Sequence, residues 1–205
     1  MGGVTDVLVD PRGDTRARVE RSALELFTRL GFEQVTADEV ADAAGISRRT
    51  FFRLFPTKAD AVWGDFAGHV ARLDDLLSAS DGDQHVLASI CAAYVRVNDY
   101  ADDDLPVLRQ RMRLILGEPA LQAHSQLQYA DIDRVVAEHT ARRTGTHPSS
   151  LVPRLVAVTT RAAATTAFRT WLDDERHTLA AALHEAFDEL AGGFPSLQTA
   201  PGSQG

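Results

Sequence analysis

The sequence has a single cysteine, Cys91, and no apolar run long enough to cross a membrane. One cysteine cannot form an internal disulfide, and the small apolar residues around Cys91 are typical of a buried thiol. A membrane span needs roughly 18 consecutive apolar residues. The N-terminus carries Asp6 and Asp10 where a signal peptide needs basic and then apolar residues. These absences predict a soluble, cytoplasmic protein with no membrane partner.

The sequence also lacks the motifs of common catalytic and cofactor sites. It contains no HExxH, no paired ExxH of a di-iron bundle, no phosphate-binding loop and no glycine-rich dinucleotide turn. His177, His184 and Asp188 recur at helical spacing, but exposed histidines on an amphipathic helix explain them equally well. We therefore expect no catalytic residue, no metal and no cofactor. An enzymatic or metal-binding helical bundle is the weaker alternative.

Basic residues are outnumbered by acidic ones, and the formal net charge is −8. Such a chain is not a general polyanion binder, so any contact with nucleic acid must be confined to a local patch. Residues 43–59 contain no acid, yet they include Arg48, Arg49, Arg53 and Lys58. This basic segment is therefore the place where a nucleic-acid contact is expected.

Helical periodicity dominates the chain, and no alternating strand pattern competes with it. The first helix ends at Gly31. A capping box at Thr36 opens a short helix over 37–44, and Ser47 caps a third helix that ends near Phe55 because Pro56 follows. Thr57 and Asp60 repeat the capping signature at the start of a long fourth helix, which is predicted to run to about Leu77. Further helices are predicted near residues 84–100, 105–117, 119–144, 150–172 and 176–191.

These elements predict an all-α fold of about nine helices. The second and third helices form a helix-turn-helix, so residues 12–56 are interpreted as a three-helix domain and residues 57–192 as a larger helical domain. The segments 1–11 and 193–205 have no sustained period or are rich in Gly, Pro, Ser and Gln. They are predicted to be flexible tails.

On the third helix, Phe51 and Phe55 fall on one face, whereas arginines and Phe52 fall on another. The second helix of a helix-turn-helix is the element that enters a major groove. Arginine matches both a phosphate and the acceptor pair of a guanine edge, and Ser47 and Thr50 add hydroxyls. A cluster of charges on its own is equally typical of a solvated face, so the position on this helix carries the inference.

The stretch from about Arg16 to Asp60, including "ALELFTRLGFEQVTADEVADAAGISRRTFFRLFPTKADAV", closely resembles the N-terminal domain of TetR-type transcriptional regulators. The resemblance implies a DNA-binding domain followed by a helical domain that binds a small-molecule effector and dimerises. By resemblance, Lys58 holds the position of a phosphate-contacting lysine, whereas Phe52 stands where many members have a phosphate-binding tyrosine. Together, residues and resemblance predict DNA contacts by Thr36, Ser47, Arg48, Arg49, Thr50, Phe52, Arg53 and Lys58.

Two further stretches, "RRTFFRLFPTKADAVWGDFAGHVARLDDLL" and "PALQAHSQLQYADI", are similar to actinobacterial regulators associated with mycofactocin gene clusters. That narrower resemblance implies an effector of the acyl-CoA type. A ligand site in a helical body is mainly apolar with a few polar groups. The candidate effector-pocket residues are Trp63, Phe66, His69, Tyr94, Met112, His124, Tyr129, Phe168 and Trp171.

The last two helices carry apolar stripes, which fit either a four-helix dimer interface or packing inside one subunit. The resemblance favours the dimer. The sequence thus predicts a homodimeric repressor that binds a palindromic double-stranded DNA operator and is released by a small organic effector. A helical partner-binding protein whose DNA module no longer reads operators is the alternative.

Overall fold

The computed structural model describes residues 11–80, 85–174 and 176–197, and within them it contains helices but no strand. The helices are α1 (Pro11–Leu30), α2 (Ala37–Ala43), α3 (Arg48–Leu54), α4 (Asp60–Trp63), α5 (Phe66–Ser78), α6 (Val86–Val97), α7 (Leu105–Gly117), α8 (Pro119–Thr144), α9 (Leu151–Asp173) and α10 (Leu179–Ala191). Short 3-10 turns lie at Asp102–Asp104 and Pro195–Leu197. The all-helical fold class is confirmed. Most of the two predicted tails, 1–11 and 193–205, lies outside the described residues.

The short helices α2 and α3 begin at side-chain caps that are visible in the sequence. The backbone N–H of Thr36 donates to Glu39 Oε2 at 2.7 Å, and the N–H of Glu39 donates to Thr36 Oγ1 at 3.2 Å. Hydrogen bonds from Thr36 hold the pKa of the Glu39 carboxyl below its usual range. At α3, Ser47 Oγ accepts from the N–H of Thr50 at 3.2 Å. Both caps satisfy backbone donors that a helix start leaves unpaired.

The predicted long fourth helix is wrong, because the chain breaks between α4 and α5. Gly64 ends α4 with φ 67° and ψ −143°, a backbone conformation that residues other than glycine hardly tolerate. Asp65 then starts α5 by accepting a hydrogen bond from the N–H of Gly68 at 3.1 Å. The break accounts for ten α-helices in the described ranges where the sequence predicted about nine.

The chain divides into two compact units, of which the first comprises residues 11–64 and 113–122 among those described. In this unit α1 packs on α2 and α4, and α2 packs on α3. Phe51 of α3 and Phe55, which follows the last residue of that helix, are both fully buried, with their ring centroids 5.6 Å apart. Burial of these two rings fixes which face of α3 remains exposed. The domain boundaries 12–56 and 57–192 stay a prediction.

The second unit comprises residues 65–80, 85–112, 123–174 and 176–197. Helix α6 packs against α5, α9 and α10, while α9 and α10 pack along each other. One hydrophobic cluster joins these elements, and its largest fully buried members include Leu73, Ile90, Leu183 and Trp171. Three apolar residues of α10, namely Leu179, Leu183 and Phe187, belong to this cluster and are buried within their own subunit.

Candidate nucleic-acid interface and effector site

The outer face of α3 presents three arginines and one aromatic ring. Arg48, Arg49 and Arg53 are exposed, and Phe52 is 40% exposed although its ring meets that of Phe51 edge-on at 5.3 Å. The side chains of Arg49 and Arg53 make no hydrogen bond or ion pair with any residue that the structure describes. The helix therefore offers two uncompensated positive charges to a partner.

Arg48 differs from the other two because it is paired inside the protein. Its Nη1 donates to both carboxylate oxygens of Asp38, at 2.5 and 2.6 Å, and its Cζ lies 5.2 Å from the centroid of the Phe52 ring. Asp38 belongs to the first turn of α2, ten residues before Arg48. The acid-free segment 43–59 thus receives an acidic partner from outside itself, which the local sequence did not indicate.

The three hydroxyl groups predicted to meet DNA also make contacts within the protein. Thr36 Oγ1 donates to Glu39 Oε2 at 2.8 Å, and Ser47 Oγ lies 3.0 Å from Thr50 Oγ1. Thr36 and Ser47 are exposed and Thr50 is half-buried. Because a phosphate oxygen only accepts hydrogen bonds, a hydroxyl contacts it by donating its single hydrogen. Either Ser47 or Thr50 keeps that hydrogen available, whereas Thr36 must release Glu39 Oε2 to use its own.

Lys58 is anchored in the first unit by two backbone carbonyls. Its Nζ donates to Phe32 O at 2.8 Å and to Val35 O at 3.0 Å, and it lies 4.3 Å from the centroid of the Phe32 ring. Two of its three ammonium hydrogens are therefore used to hold the loop between α1 and α2. The resemblance implied a phosphate contact and did not reveal this second role.

Two arginines of α1 hold the far ends of α2 and α3. Arg16 Nη1 donates to Leu54 O at 3.0 Å, and Arg18 Nε donates to Ala44 O at 3.0 Å. Both carbonyls lie at helix C-termini, where backbone acceptors lack partners and cations are favoured. Both arginines lie within α1, which begins at Pro11. Tertiary packing gives them a structural role that periodicity could not show.

Most of the predicted effector-pocket residues lie in the second unit. Six of them belong to its hydrophobic cluster: Phe66, Tyr94, Met112, Tyr129, Phe168 and Trp171. His69 stacks on Phe66 with ring centroids 6.1 Å apart, and His124 Nε2 lies 3.4 Å from the side-chain nitrogen of Gln128. Trp63 lies in α4 and is part of the first unit.

Several polar groups are buried in this second unit. Burial raises the pKa of the Tyr94 phenol above its usual range, and the Thr160 hydroxyl opposes that shift. Burial also lowers the pKa of His69 to about 4, helped by the charge of Arg72 and opposed by Asp65. Both side chains are therefore neutral at physiological pH. Neutral donors and acceptors suit an uncharged ligand group better than an ionised one.

Charged and aromatic groups meet at two further places in the second unit. Arg161 Nε donates to Asp133 at 2.7 Å, and its Cζ lies 5.1 Å from the centroid of the Tyr129 ring. Arg109 Nη1 donates to Trp171 O at 2.8 Å, and its Cζ lies 4.1 Å from the centroid of that indole. These contacts tie two predicted pocket aromatics, Tyr129 and Trp171, to guanidinium groups of residues far away in the sequence.

A groove of about 440 Å³ lies between α9 and α10, and none of the predicted pocket residues lines it. Its lining is small and mostly apolar: Thr159, Ala162, Ala163, Thr166, Ala167, Thr170, Ala182, Glu185, Ala186, Glu189, Leu190 and Phe194. Beyond it, α9 exposes large apolar side chains, including Leu151 at 78% and Leu155 at 55%. This apolar side of α9 is therefore left exposed by the residues that the structure describes.

The described part of the chain holds neither a metal-binding cluster nor a membrane-spanning helix. No three His, Cys, Asp or Glu side chains there lie close enough together to hold a metal ion. Within the same residues, no helix combines the length and the apolar character needed to cross a membrane.

Two family models match the sequence, one for each of its main parts. The model described as bacterial regulatory proteins, tetR family, matches residues 21–61, which include α2, α3 and the arginine-bearing face. The model described as the MftR C-terminal domain matches residues 84–195, more than half of the chain.

Individual relatives and structures agree with these matches. The proposed mycofactocin biosynthesis transcriptional regulator MftR of Mycobacterium tuberculosis is 38% identical, over 91% of this chain and 94% of its own. The HTH-type transcriptional regulator TcmR of Streptomyces glaucescens is 25% identical, over 86% of this chain and 82% of its own. A similar fold occurs in Thermus thermophilus FadR, a TetR family transcriptional repressor solved with lauroyl-CoA, with a TM-score of 0.54 and 22% identity over 93% of this chain and 100% of that one.

Proposed function

Because the chain belongs to the TetR family of transcriptional regulators, with an MftR-type C-terminal domain, we propose that it is a homodimeric repressor released by a small organic effector. The observation that carries the DNA-binding part is the outer face of α3. There, exposed Arg49 and Arg53 have no partner among the described residues, although the whole chain has a net charge of −8. Phosphate is the partner that such a confined basic face fits.

The proposed DNA contacts follow from the position of each side chain. Thr36, Ser47 and Thr50 stand at helix starts, and their hydroxyls approach the backbone of one DNA strand. The cations Arg49 and Arg53 extend from α3, and Lys58 keeps one ammonium hydrogen for a phosphate. Phe52 lacks the hydroxyl of a tyrosine and contributes apolar contact, for which the methyl group of thymine is the natural partner in the major groove.

We assign the dimer interface to the exposed side of α9 together with the groove against α10. The small residues of the groove, such as Ala162 and Ala163, allow another helix to approach closely. Leu151 and Leu155 supply apolar area that a single subunit leaves in water. A two-fold dimer sets two recognition helices about 34 Å apart, one turn of DNA, so a palindromic operator is expected.

We place the effector in the second unit, among the predicted pocket residues that lie there, and we assign it to the acyl-CoA class. Support comes from the likeness of fold to a repressor crystallised with lauroyl-CoA and from the composition of the second unit. Its interior is apolar and carries a few neutral polar groups, such as Tyr94, Thr160 and His69. An acyl chain with one carbonyl group has this same division between apolar and polar parts.

Release of DNA then requires two arrangements of the protein. An effector with equal affinity for the DNA-competent and DNA-incompetent arrangements would shift nothing, however tightly it binds. The acyl ligand must therefore prefer the incompetent arrangement. By linkage, operator DNA must weaken acyl-CoA binding by the same factor as acyl-CoA weakens DNA binding.

The test is a titration of the purified dimer with DNA from upstream of its own gene, at several salt concentrations, with and without a long-chain acyl-CoA. We expect a sequence-specific complex that acyl-CoA dissociates. The double variant Arg49→Ala/Arg53→Ala should lose the complex, whereas the matched control Arg96→Ala/Arg142→Ala, which removes two exposed cations from the second unit, should keep it. A complex indifferent to acyl-CoA would remove the effector class and keep the repressor. Equal binding by both double variants would contradict the assignment of α3.

A further inference from the structure

The three arginines on α3 are electrostatically unequal. Arg48 forms an ion pair with Asp38, whereas Arg49 and Arg53 have no carboxylate partner within the described part of the chain. A phosphate oxygen attracts an uncompensated cation far more strongly than a cation whose charge is already balanced. The inequality therefore bears on which arginine contacts phosphate and which contacts a base.

The geometry of the ion pair leaves one edge of the Arg48 guanidinium available. Both oxygens of Asp38 accept from the same nitrogen, Nη1, at 2.6 and 2.5 Å. No described residue accepts a hydrogen bond from Nε or Nη2 of Arg48. These two nitrogens form one edge of the planar fork, and their parallel N–H groups have the spacing of a bidentate donor.

Two contacts limit the freedom of this guanidinium. Asp38 holds it from α2, and the ring of Phe52 lies beside it, with Cζ 5.2 Å from the ring centroid. The Arg48 side chain nevertheless stays 67% exposed, so a partner can reach it. Two supports from different helices reduce the number of orientations that a long side chain would otherwise sample, and that entropy need not be lost on binding.

A guanine edge fits this arrangement better than a phosphate does. The O6 and N7 atoms of guanine are two neutral acceptors that match a bidentate arginine. A phosphate at the same place would bring its charge next to the carboxylate of Asp38, and like charges at short range repel. Arg49 and Arg53 carry no such neighbouring acid in the described structure and can accept a phosphate without that penalty.

We propose that Arg48 reads a guanine in the major groove and that Asp38 is a positioning residue that orients it, while Arg49 and Arg53 contact phosphates. This inference rests on the proposed operator-binding function. Asp38 contributes to specificity without touching DNA, since it acts through the guanidinium that it holds. An exposed ion pair stabilises a fold only slightly, so removal of Asp38 leaves the protein folded and its effect on DNA recognition measurable.

The experiment selects preferred sites from a randomised duplex DNA library with the full-length protein and with four variants. These are Arg48→Ala, Asp38→Asn, the matched control Asp42→Asn, and Arg49→Ala. Asp42 is an exposed carboxylate of the same helix with no arginine partner among the described residues, so its substitution changes the charge equally. Thermal unfolding of each variant confirms that it is folded.

We expect one guanine per half-site for which Arg48→Ala loses preference by about 5-fold to 150-fold, the range for a bidentate contact. Asp38→Asn should lose preference for the same guanine. Asp42→Asn should keep that preference to within about 2-fold, which is the order of experimental scatter. Replacing that guanine by 7-deazaguanine, which removes the N7 acceptor, should weaken the wild-type complex and leave the Arg48→Ala complex unchanged. Arg49→Ala should keep every base preference and reduce the salt slope of log K by about 0.9.

Three results would overturn the inference, and they are distinguishable. Arg48→Ala with all base preferences intact and a reduced salt slope would make Arg48 a phosphate contact. A guanine preference lost in Arg48→Ala but kept in Asp38→Asn would remove the positioning role of Asp38. Failure of the wild-type protein to select any sequence would refute the operator-binding function itself, and the assignment of Arg48 with it.

Discussion

Replacing Lys58 with methionine should destabilise the first unit, because this side chain holds the loop between α1 and α2. Its Nζ donates at 2.8 Å to Phe32 O and at 3.0 Å to Val35 O. Phe32 is 4% exposed and Val35 is 1% exposed. Methionine keeps most of the aliphatic stem but removes the charge and all three donors, so the substitution isolates the polar contribution.

The magnitude follows from the contacts that would be lost. A hydrogen bond from a charged donor contributes roughly 1.5 to 3 kcal/mol, and a cation over an aromatic face adds about 0.5 to 1 kcal/mol at an exposed site. Lys58 is half-buried, so water can replace part of each bond and the low end of these ranges applies. We expect the free energy of unfolding to fall by about 3.5 kcal/mol, given the two hydrogen bonds and the single ring contact.

The assay combines urea unfolding with the salt dependence of DNA binding, and it compares Lys58→Met with Arg49→Met. Arg49 has no partner among the described residues, so its substitution should change the free energy of unfolding by less than about 0.5 kcal/mol. It should reduce the salt slope by about 0.9, the value for one phosphate contact. Lys58→Met should show both effects if its remaining ammonium hydrogen contacts a phosphate. Wild-type stability in Lys58→Met, with the same salt effect as Arg49→Met, would refute the reasoning and reduce Lys58 to a phosphate contact.

Three further predictions concern the second unit and the break after α4. Leu155→Glu, at a site 55% exposed on α9, should weaken the proposed dimer by at least roughly 100-fold in sedimentation equilibrium, because it places a charge in an apolar interface. The control Leu127→Glu, at a site 72% exposed on α8, should leave dimerisation unchanged. Equal dimerisation of the two variants would contradict the assignment of the interface. The pKa of His69 is lowered from 6.5 to about 4, so the unfolded chain binds its proton first as the pH falls. The contribution of neutral His69 to the free energy of unfolding is complete above pH 6.5 and should decline by roughly 3 kcal/mol as the pH approaches 4. Urea unfolding of His69→Gln should show a smaller decline with pH. A pH profile identical to that of the wild type would argue against the lowered pKa. Gly64→Ala should lower the free energy of unfolding by about 1 to 3 kcal/mol because the native φ is 67°. The control Gly117→Ala, in a helix, should leave the thermal unfolding temperature unchanged or raise it. An unchanged stability of Gly64→Ala would show that the break tolerates a side chain.

Local sequence signals determined most of the helical structure. The capping box at Thr36, the cap at Ser47 and the proline after Phe55 act within a few residues of the backbone that they organise. The predicted ranges 105–117 and 119–144 coincide with α7 and α8. The same local logic grouped the arginines of α3 on one face, since helical spacing alone decides which side chains lie together.

Local signals failed where two of them competed or where the partner was distant in sequence. The Trp63 to Phe66 stretch reads as continuous helix until the backbone at Gly64 adopts a positive φ and Asp65 caps a new start. Arg16 reaches Leu54 O across 38 residues, and Lys58 reaches Phe32 O across 26. A periodic pattern contains no information about which helix end will lie beside a given cation.

The sequence by itself therefore determined that this is a helical chain of the TetR family with a basic face on its second helix-turn-helix element. Tertiary structure decided which of those basic groups are already occupied: Lys58 by two carbonyls, Arg48 by Asp38, and Arg49 and Arg53 by no residue that the structure describes. The physical reason is range. Caps and amphipathic faces depend on neighbours within one or two turns, whereas an ion pair depends on the packing of whole helices against one another.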